Sequence, residues 1–140
     1  MTLLANAQHE DGTRSTGRRM GRWVNKVLGV NYQQFCPTEA WDPAINLYED
    51  AKQYYVIVDL AGVRAEQIDI RVDEKGMLLL AGKREAPEVP HPAGSIRFHL
   101  MEIDHGQFCR TVDLPEDADI DKIDAAYKTG LLWIKVPKKA

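Results

Sequence analysis

Cysteine is scarce in this chain, and long apolar runs are absent. Only two cysteines, Cys36 and Cys109, occur among 140 residues, which excludes a disulfide-rich scaffold. The two could pair, but such low usage is more typical of a protein from a reducing cytoplasm. No apolar run approaches the roughly 20 residues that span a bilayer, and residues 1–5 lack the longer apolar stretch of a secretory signal. We therefore expect a cytoplasmic protein.

The chain also lacks an excess of positive charge. Its formal net charge is −3, which gives no reason to expect a nucleic-acid partner. The charge is uneven, because residues 1–40 contain five basic and three acidic residues while the remainder is acidic. A basic arm on an acidic body favours contact between the two, or between copies of the chain.

The candidate motifs for catalysis, metal binding and nucleotide binding lack residues or spacings that these functions require. The segment from Gly76 to Arg84 resembles a phosphate loop, but arginine stands where serine or threonine must hold magnesium. The aspartates of residues 117–121 are similar to a calcium loop, yet Lys122 replaces the required glycine. No histidine or cysteine pair has zinc-ligand spacing, and an idle Cys109 thiol is far commoner than a nucleophile. We expect no enzyme, no cofactor and no metal site.

Residues 1–40 are predicted to form an N-terminal arm with one amphipathic helix at about residues 20–28. Apolar residues recur there at helical spacing, and Gly29 is a suitable stop. The apolar stripe consists of Met20, Trp23, Val24, Val27 and Leu28. Ordering such a short helix costs about as much as burying five apolar side chains gains, so the stripe needs a partner surface.

Three partners for this stripe stay open. Contact with other copies or with exposed apolar segments of other proteins is favoured, because many weak copies gain avidity. Packing onto the rest of its own chain is the second. A membrane surface is the least favoured, although Arg18, Arg19, Arg22 and Lys26 lie near the stripe.

From Trp41 onward the apolar period changes to two. In residues 68–73, for example, Ile68, Ile70 and Val72 alternate with charged residues. Further strands are predicted at residues 55–60, 77–81, 96–103, 108–114, 123–127 and 131–136. Turn signals such as Glu74-Lys75-Gly76 and Thr129-Gly130 separate them. Short strands with a turn roughly every 8–12 residues favour an all-β fold, an antiparallel β-sandwich.

Four segments of this region carry recognisable motifs. Residues 106–115 read GQFCRTVDLP, residues 126–138 read AYKTGLLWIKVPK, and residues 59–63 and 80–84 read DLAGV and LAGKR. They resemble the G-x-F-x-R…L-P, A-x-x-x-G-x-L, D-L-P-G-V and S-G-E-R motifs of the small heat-shock proteins, the α-crystallin family. The matching positions in the two longer segments are Gly106, Phe108, Arg110, Leu114, Pro115, Ala126, Gly130 and Leu132. The motifs occur in the family's order within residues 41–138, the predicted α-crystallin domain.

The resemblance implies an immunoglobulin-like sandwich that acts as an ATP-independent holdase chaperone. Such a chaperone binds non-native proteins under stress and limits their aggregation. Composition and periodicity do not supply this function, because a fold does not imply an activity. The alternative is an adaptor similar to the p23-like co-chaperones, docking to one folded partner, and the amphipathic arm favours the holdase. Expected partners are non-native clients and a second copy of the chain, with related small heat-shock proteins as an open alternative.

The resemblance also implies a homodimer. Residues Ile96, Phe98 and Leu100 occupy the position of a loop strand that bacterial and plant members exchange between subunits. An unexchanged loop is the alternative. Arg110 matches a family arginine near the dimer interface, and a buried guanidinium needs a carboxylate partner. A rim arginine that reaches solvent is the alternative there.

A groove that receives an extended segment is expected from Ile68, Ile70, Val72, Leu131 and Trp133. The alternative is that Trp133 is covered by the arm or by a second copy. Family members usually continue past the closing Pro-Lys with a tail that carries an I-x-I motif. Because only a short tail follows here, residues 139–140 are interpreted as vestigial. We therefore expect a dimer, or an oligomer built through the arm.

Overall fold

The computed structural model describes residues 18–19, 24–27, 36–90 and 92–140. These residues form nine β-strands and two short 3-10 helices, Ala65–Gln67 and Ile120–Lys122. The strands are β1 (Arg18–Arg19), β2 (Val24–Val27), β3 (Ile45–Glu49), β4 (Gln53–Asp59), β5 (Ile68–Asp73), β6 (Met77–Arg84), β7 (Gly106–Asp113), β8 (Asp124–Lys128) and β9 (Leu131–Pro137). The described ranges contain no α-helix, and the predicted all-β class is confirmed.

The strands form two sheets with a shared core. One sheet has five strands in the order β1-β8-β9-β4-β3, and the other has four in the order β2-β5-β6-β7. Neighbouring strands are antiparallel except for β2 and β5, which are parallel. This is the antiparallel, immunoglobulin-like sandwich that the sequence predicts.

Period-two alternation places the core between the sheets. In β4, Tyr54, Val56 and Val58 are buried while the residues between them are partly exposed. In β9, Leu132 and Ile134 are fully buried in the same way. Because successive side chains of a strand point to opposite faces, each strand contributes one apolar row to the core.

The predicted turns have the backbone that their residues favour. Thr129 and Gly130 have φ angles of 51° and 82° between β8 and β9. Positive φ at both central positions is the mark of a type I′ hairpin, whose twist matches that of the flanking strands. Gly76, with φ 90°, ends the predicted turn between β5 and β6. These turns fix the register of both hairpins.

The predicted helix over residues 20–28 is wrong at residues 24–27. This segment is strand β2, which pairs with β5 from Val24 opposite Ile70 to Val27 opposite Asp73. Pairing satisfies N–H and C=O groups on an otherwise open edge of β5, and it buries Val24 to 5% exposure. A short helix at these residues would leave the N–H and C=O groups on this edge of β5 unpaired. The remaining stripe residues, Met20, Trp23 and Leu28, lie outside the described residues.

The two cysteines, whose pairing the sequence left open, are joined by a disulfide. Cys36 and Cys109 are joined, with their Cα atoms 5.5 Å apart. Trp41 brings them together, because its N–H bonds to the Gln107 carbonyl at 3.1 Å and its carbonyl accepts the Cys109 N–H at 3.0 Å. Pairing therefore follows from position in the fold, which the number of cysteines does not reveal.

The predicted strand at residues 96–103 does not form in the single chain. Residues 95–98 and 100–102 have no assigned secondary structure, although β6 and β7 on either side are regular. A strand requires a hydrogen-bonded neighbour, and the described part of this chain places none beside the segment. The apolar alternation in this segment is therefore left without a partner strand.

Candidate interaction surfaces

The connection between β6 and β7 presents a row of exposed apolar side chains. We call Ile96, Phe98, Leu100, Met101 and Ile103 the apolar row. Phe98 and Leu100 are 75% and 78% exposed, and Ile103 is 69% exposed. Monomeric proteins rarely expose several large apolar side chains in one contiguous segment, so such a patch marks an interaction surface.

Arg84 fixes the base of this connection. Its Nε and Nη2 donate to the Asp104 carbonyl at 2.9 and 2.6 Å, and its Nη1 donates to the Ala61 carbonyl at 3.1 Å. The guanidinium also lies 4.3 Å from the centroid of the Trp41 ring. In the sequence, Arg84 is the last residue of the LAGKR motif and of the segment compared with a phosphate loop, and its clamping role is visible only in the structure.

An open strand edge lies at β3. This strand is the last in its sheet and pairs with β4 alone among the described strands. Leu47 and Tyr48 on it are 45% and 52% exposed, so both faces of the strand reach solvent. Unpaired backbone groups on an apolar edge are a template for another strand. The sequence did not single out this edge, because alternation alone does not tell edge from centre.

Arg110 is half-buried and bonded within its own chain. Its Nη1 donates to the Pro43 carbonyl at 2.7 Å, two residues before β3 begins. The predicted carboxylate partner is not found for Arg110 in the described single chain. The bond instead holds the segment that leads into the open edge of β3, so a role of Arg110 at an interface stays a prediction.

The structure does not bring the five predicted groove residues to one surface. Ile68, Ile70 and Val72 are buried in the core on β5 of the four-stranded sheet. Leu131 and Trp133 are partly exposed on β9 of the other sheet, on the side opposite its buried residues. The interpretation of Trp133 as outward-facing is correct, and the grouping with the β5 residues is wrong. The three β5 residues are apolar because they are buried in the core.

Two described segments of the arm pair with strands of the two sheets. Strand β1 pairs with β8 in one sheet, and β2, only five residues later, pairs with β5 in the other. Two neighbouring arm segments therefore cover edges of both sheets. Of the open alternatives for the arm, packing onto its own domain is the one adopted at residues 24–27.

Two motif glycines have structural roles near Phe108: one makes room for its ring, and the other has the positive φ at the start of β7. The Phe108 ring is 1% exposed and lies 5.5 Å from the Trp41 ring. It faces Gly82 across the β6–β7 pair, where an added Cβ would lie 2.5 Å from its Cζ. Gly106 begins β7 with φ 89°. The glycine of one motif and the phenylalanine of another thus form one contact.

The other motif residues are also structural. Leu132 is fully buried and Leu114 is 6% exposed, whereas Pro115 is exposed just after β7 ends. An added Cβ on Gly130 would come within 3.2 Å of the Ala61 Cα, in addition to the strain of its positive φ. Ala126 lies opposite Trp133 across the β8–β9 pair. These residues identify the fold, and none of them is placed for chemistry.

The groups with shifted pKa values lie at turns and strand ends. The Tyr54 hydroxyl donates to Asp117 Oδ1 at 2.6 Å, and this bond raises the pKa of Tyr54 to about 12. The pKa of Asp50 is lowered, first because its carboxylate accepts the N–H groups of Lys52 and Gln53. Within the described ranges, no three acidic, histidine or cysteine side chains cluster as metal ligands, and no helix is long and apolar enough to cross a membrane.

The arrangement of strands and motifs has clear relatives. The profile described as Hsp20/alpha crystallin family matches residues 46–140. The chain belongs to this family. Its members are small heat-shock chaperones rather than enzymes, in agreement with the expectation from the sequence.

Individual relatives are similar over most of the chain. Small heat shock protein C4 of Rickettsia felis is 29% identical over 117 residues, which cover 84% of this chain and 69% of that protein. A probable 15 kDa heat shock protein of Leptospira interrogans is 31% identical over 97 residues, covering 69% of this chain and 70% of the relative.

Solved structures of the family have the same sandwich. HspA from Xanthomonas axonopodis matches with a TM-score of 0.60 and 33% identity, covering 70% of this chain and 94% of that one. A small heat-shock protein from Xylella fastidiosa, described as having a distinct high order structure, matches with a TM-score of 0.60 and 31% identity, covering 71% and 88%. The fold of the domain is therefore the family fold.

Proposed function

We propose that this protein is an ATP-independent holdase, which binds non-native proteins through exposed apolar surface and limits their aggregation. Membership of a chaperone family supports a chaperone role. The observation that carries the finer proposal is the apolar row, whose large side chains stand exposed on a connection clamped at its base by Arg84. Unfolding clients expose apolar segments, and covering such segments removes the surface through which they aggregate.

We also propose that the apolar row mediates assembly of a homodimer. Residues 96–103 lack a partner strand, and the edge of β3 lacks one on its outer side among the described strands. Each copy thus offers a segment with strand-like alternation and an open edge, and a two-fold exchange between copies satisfies both. Arg110 lies near this edge through its bond to Pro43.

The strength of this contact can be estimated from exposure. Phe98 and Leu100 are each about three-quarters exposed. Burying that surface is worth about 2–5 kcal/mol in total at roughly 1.5–3 kcal/mol for a whole side chain. A two-fold exchange buries this surface once from each copy, so the dimer gains about 4–10 kcal/mol from it. Replacing both residues by serine should therefore raise the dimer Kd by roughly 1,000-fold or more, as measured by sedimentation velocity over a dilution series.

A client aggregation assay tests the holdase. A heat-labile enzyme is warmed without ATP in the presence of increasing amounts of this protein, and light scattering is recorded. We expect equimolar or lower amounts to suppress scattering, and we expect Phe98→Ser/Leu100→Ser to need at least threefold more protein for the same suppression. The matched control is Arg97→Ser/His99→Ser, which changes the intervening residues of the same segment and should behave like the unaltered protein.

Unchanged scattering with the unaltered protein contradicts the holdase. A complex of fixed stoichiometry with one folded partner, without protection of arbitrary clients, would instead support the p23-like adaptor. Circular dichroism checks that both variants are folded. We expect the sandwich to remain folded, because all four substituted side chains are exposed.

A further inference from the structure

The disulfide joins the root of the arm to the outer face of the four-stranded sheet. Cys109 lies on β7, one residue after the core residue Phe108, so its side chain points away from the core. It lies opposite Ala81 of β6, which in turn lies opposite Asp69 of β5. The bond therefore fixes Cys36 above this sheet.

Residues 36–40 have little else to hold them there. The turn bond from the Ala40 N–H to the Pro37 carbonyl is internal to the segment, and Pro37, Thr38 and Glu39 are exposed. Among the described contacts, hydrogen bonding to the sandwich begins only at Trp41, through Gln107, Cys109 and the Gly106 carbonyl. Without the disulfide, the first described contact with the sandwich after β2 would be made by Trp41 instead of Cys36.

Small reagents can reach the disulfide from the side of Cys36. Cys36 is partly exposed whereas Cys109 is 2% exposed. A cavity of about 210 Å³ is lined by residues that include Cys36, Cys109, Arg110 and Thr111, and a second of about 340 Å³ is lined by residues that include Pro37 and Cys109. A small thiol can therefore approach Cys36, whose partner Cys109 then leaves as the thiolate.

We propose that Cys36 and Cys109 form a reversible redox link that sets the free length of the arm. A small-molecule disulfide such as oxidised glutathione is the oxidant. The Cys36 thiolate attacks it to give a mixed disulfide and one glutathione, and the Cys109 thiolate then displaces the second glutathione as the protein disulfide forms. Two protein thiols and one glutathione disulfide thus yield one protein disulfide and two glutathiones. In the cytoplasm expected from the sequence, the pair rests as thiols and closes under oxidation.

The link changes how readily β2 leaves β5. Along the sequence, Cys36 lies nine positions after Val27, the end of β2, and Trp41 lies 14 positions after it. The probability of loop closure falls with about the 3/2 power of loop length, so opening the disulfide should raise the undocked fraction of β2 about twofold. Undocking frees the arm and the edge of β5; their use in client binding rests on the proposed holdase function.

Limited trypsin cleavage of the full chain tests the link. The protein is equilibrated with oxidised or reduced glutathione, free thiols are counted by alkylation and mass spectrometry, and the rate of cleavage after Lys26 is measured. We expect no free thiol and slow cleavage in the oxidised sample. Two free thiols and about twofold faster cleavage are expected in the reduced sample.

Cys36→Ser should cleave at the reduced rate whatever the glutathione state, which separates the link from other effects of the reductant. Two free thiols after oxidation, or equal cleavage rates in the two samples, would overturn the proposal. Neither readout involves a client, so failure of the redox link and failure of the holdase are distinguished. If both hold, the reduced protein should suppress client scattering at a lower ratio than the oxidised one.

Discussion

Replacing Gly82 by alanine should destabilise the sandwich by about 3 kcal/mol, the upper end of the range for overpacked sites. The added Cβ would lie 2.1 Å from the Gln67 carbonyl oxygen and 2.5 Å from the Phe108 Cζ. The first neighbour is backbone just before β5, and the second belongs to a ring that is 1% exposed. Neither can move without displacing packed structure, so strand β6 must shift.

Thermal unfolding followed by tryptophan fluorescence measures the effect. For a domain of this size, 3 kcal/mol corresponds to a fall in Tm of roughly 10–15 °C. The matched control is Lys83→Ala on the same strand, an exposed position where the change should stay within about 0.5 kcal/mol.

A double-mutant cycle separates the two clashes. Phe108→Leu removes the outer ring atoms, so Gly82→Ala/Phe108→Leu should be less destabilised than the sum of the single changes, by about 1 kcal/mol. The clash with the Gln67 carbonyl remains in the double variant, so the destabilisation is only partly relieved. A Gly82→Ala protein that unfolds at the unaltered temperature, or a strictly additive cycle, would refute this account of the packing.

Three further predictions concern single interactions. Thr129→Asn should stabilise the fold by about 1 kcal/mol in urea unfolding, because asparagine tolerates the positive φ of the hairpin better than a β-branched residue; a lower midpoint would contradict it. Tyr54 has a folded pKa of about 12 against an ordinary value of 10.0, so its stabilising effect is present below pH 10 and lost as the pH rises through 12. Tyr54→Phe should therefore flatten the loss of stability in this window, whereas the exposed Tyr48→Phe should not. The Asp50 pKa lies below 3.8, so its stabilisation is present above that pH and lost as the pH falls through the lowered value. The unfolding midpoints of Asp50→Asn and the unaltered protein should differ at pH 7 and converge in strong acid.

The core and the turns could be predicted from sequence because their signals are local. Val56 and Val58 alternate with partly exposed residues, and Thr129-Gly130 sits where a tight hairpin is needed. Each signal lies within a few residues, and the sandwich follows from their repetition. The motif residues Phe108 and Gly82 were recognised from sequence, although the contact between them is visible only in the structure.

Features that depend on distant neighbours were missed. The arm stripe has helical spacing, yet β2 forms because β5, more than 40 residues later, offers an edge. The Cys36–Cys109 bond spans 73 residues and depends on how Trp41 pairs with β7. The groove grouping failed because alternation identifies the two faces of a strand but not which of them faces the core.

Photo-crosslinking from position 98 shows whether the apolar row contacts a second copy and a client. A benzophenone side chain replaces Phe98, and position 97, the neighbouring polar residue of the same segment, serves as the control. At rest we expect position 98 to crosslink to residues 45–49 of a second copy, and on warming with a heat-labile client we expect the client to be captured as well. Absence of intermolecular products from position 98, or equal products from positions 97 and 98, would contradict a chaperone that works through the apolar row.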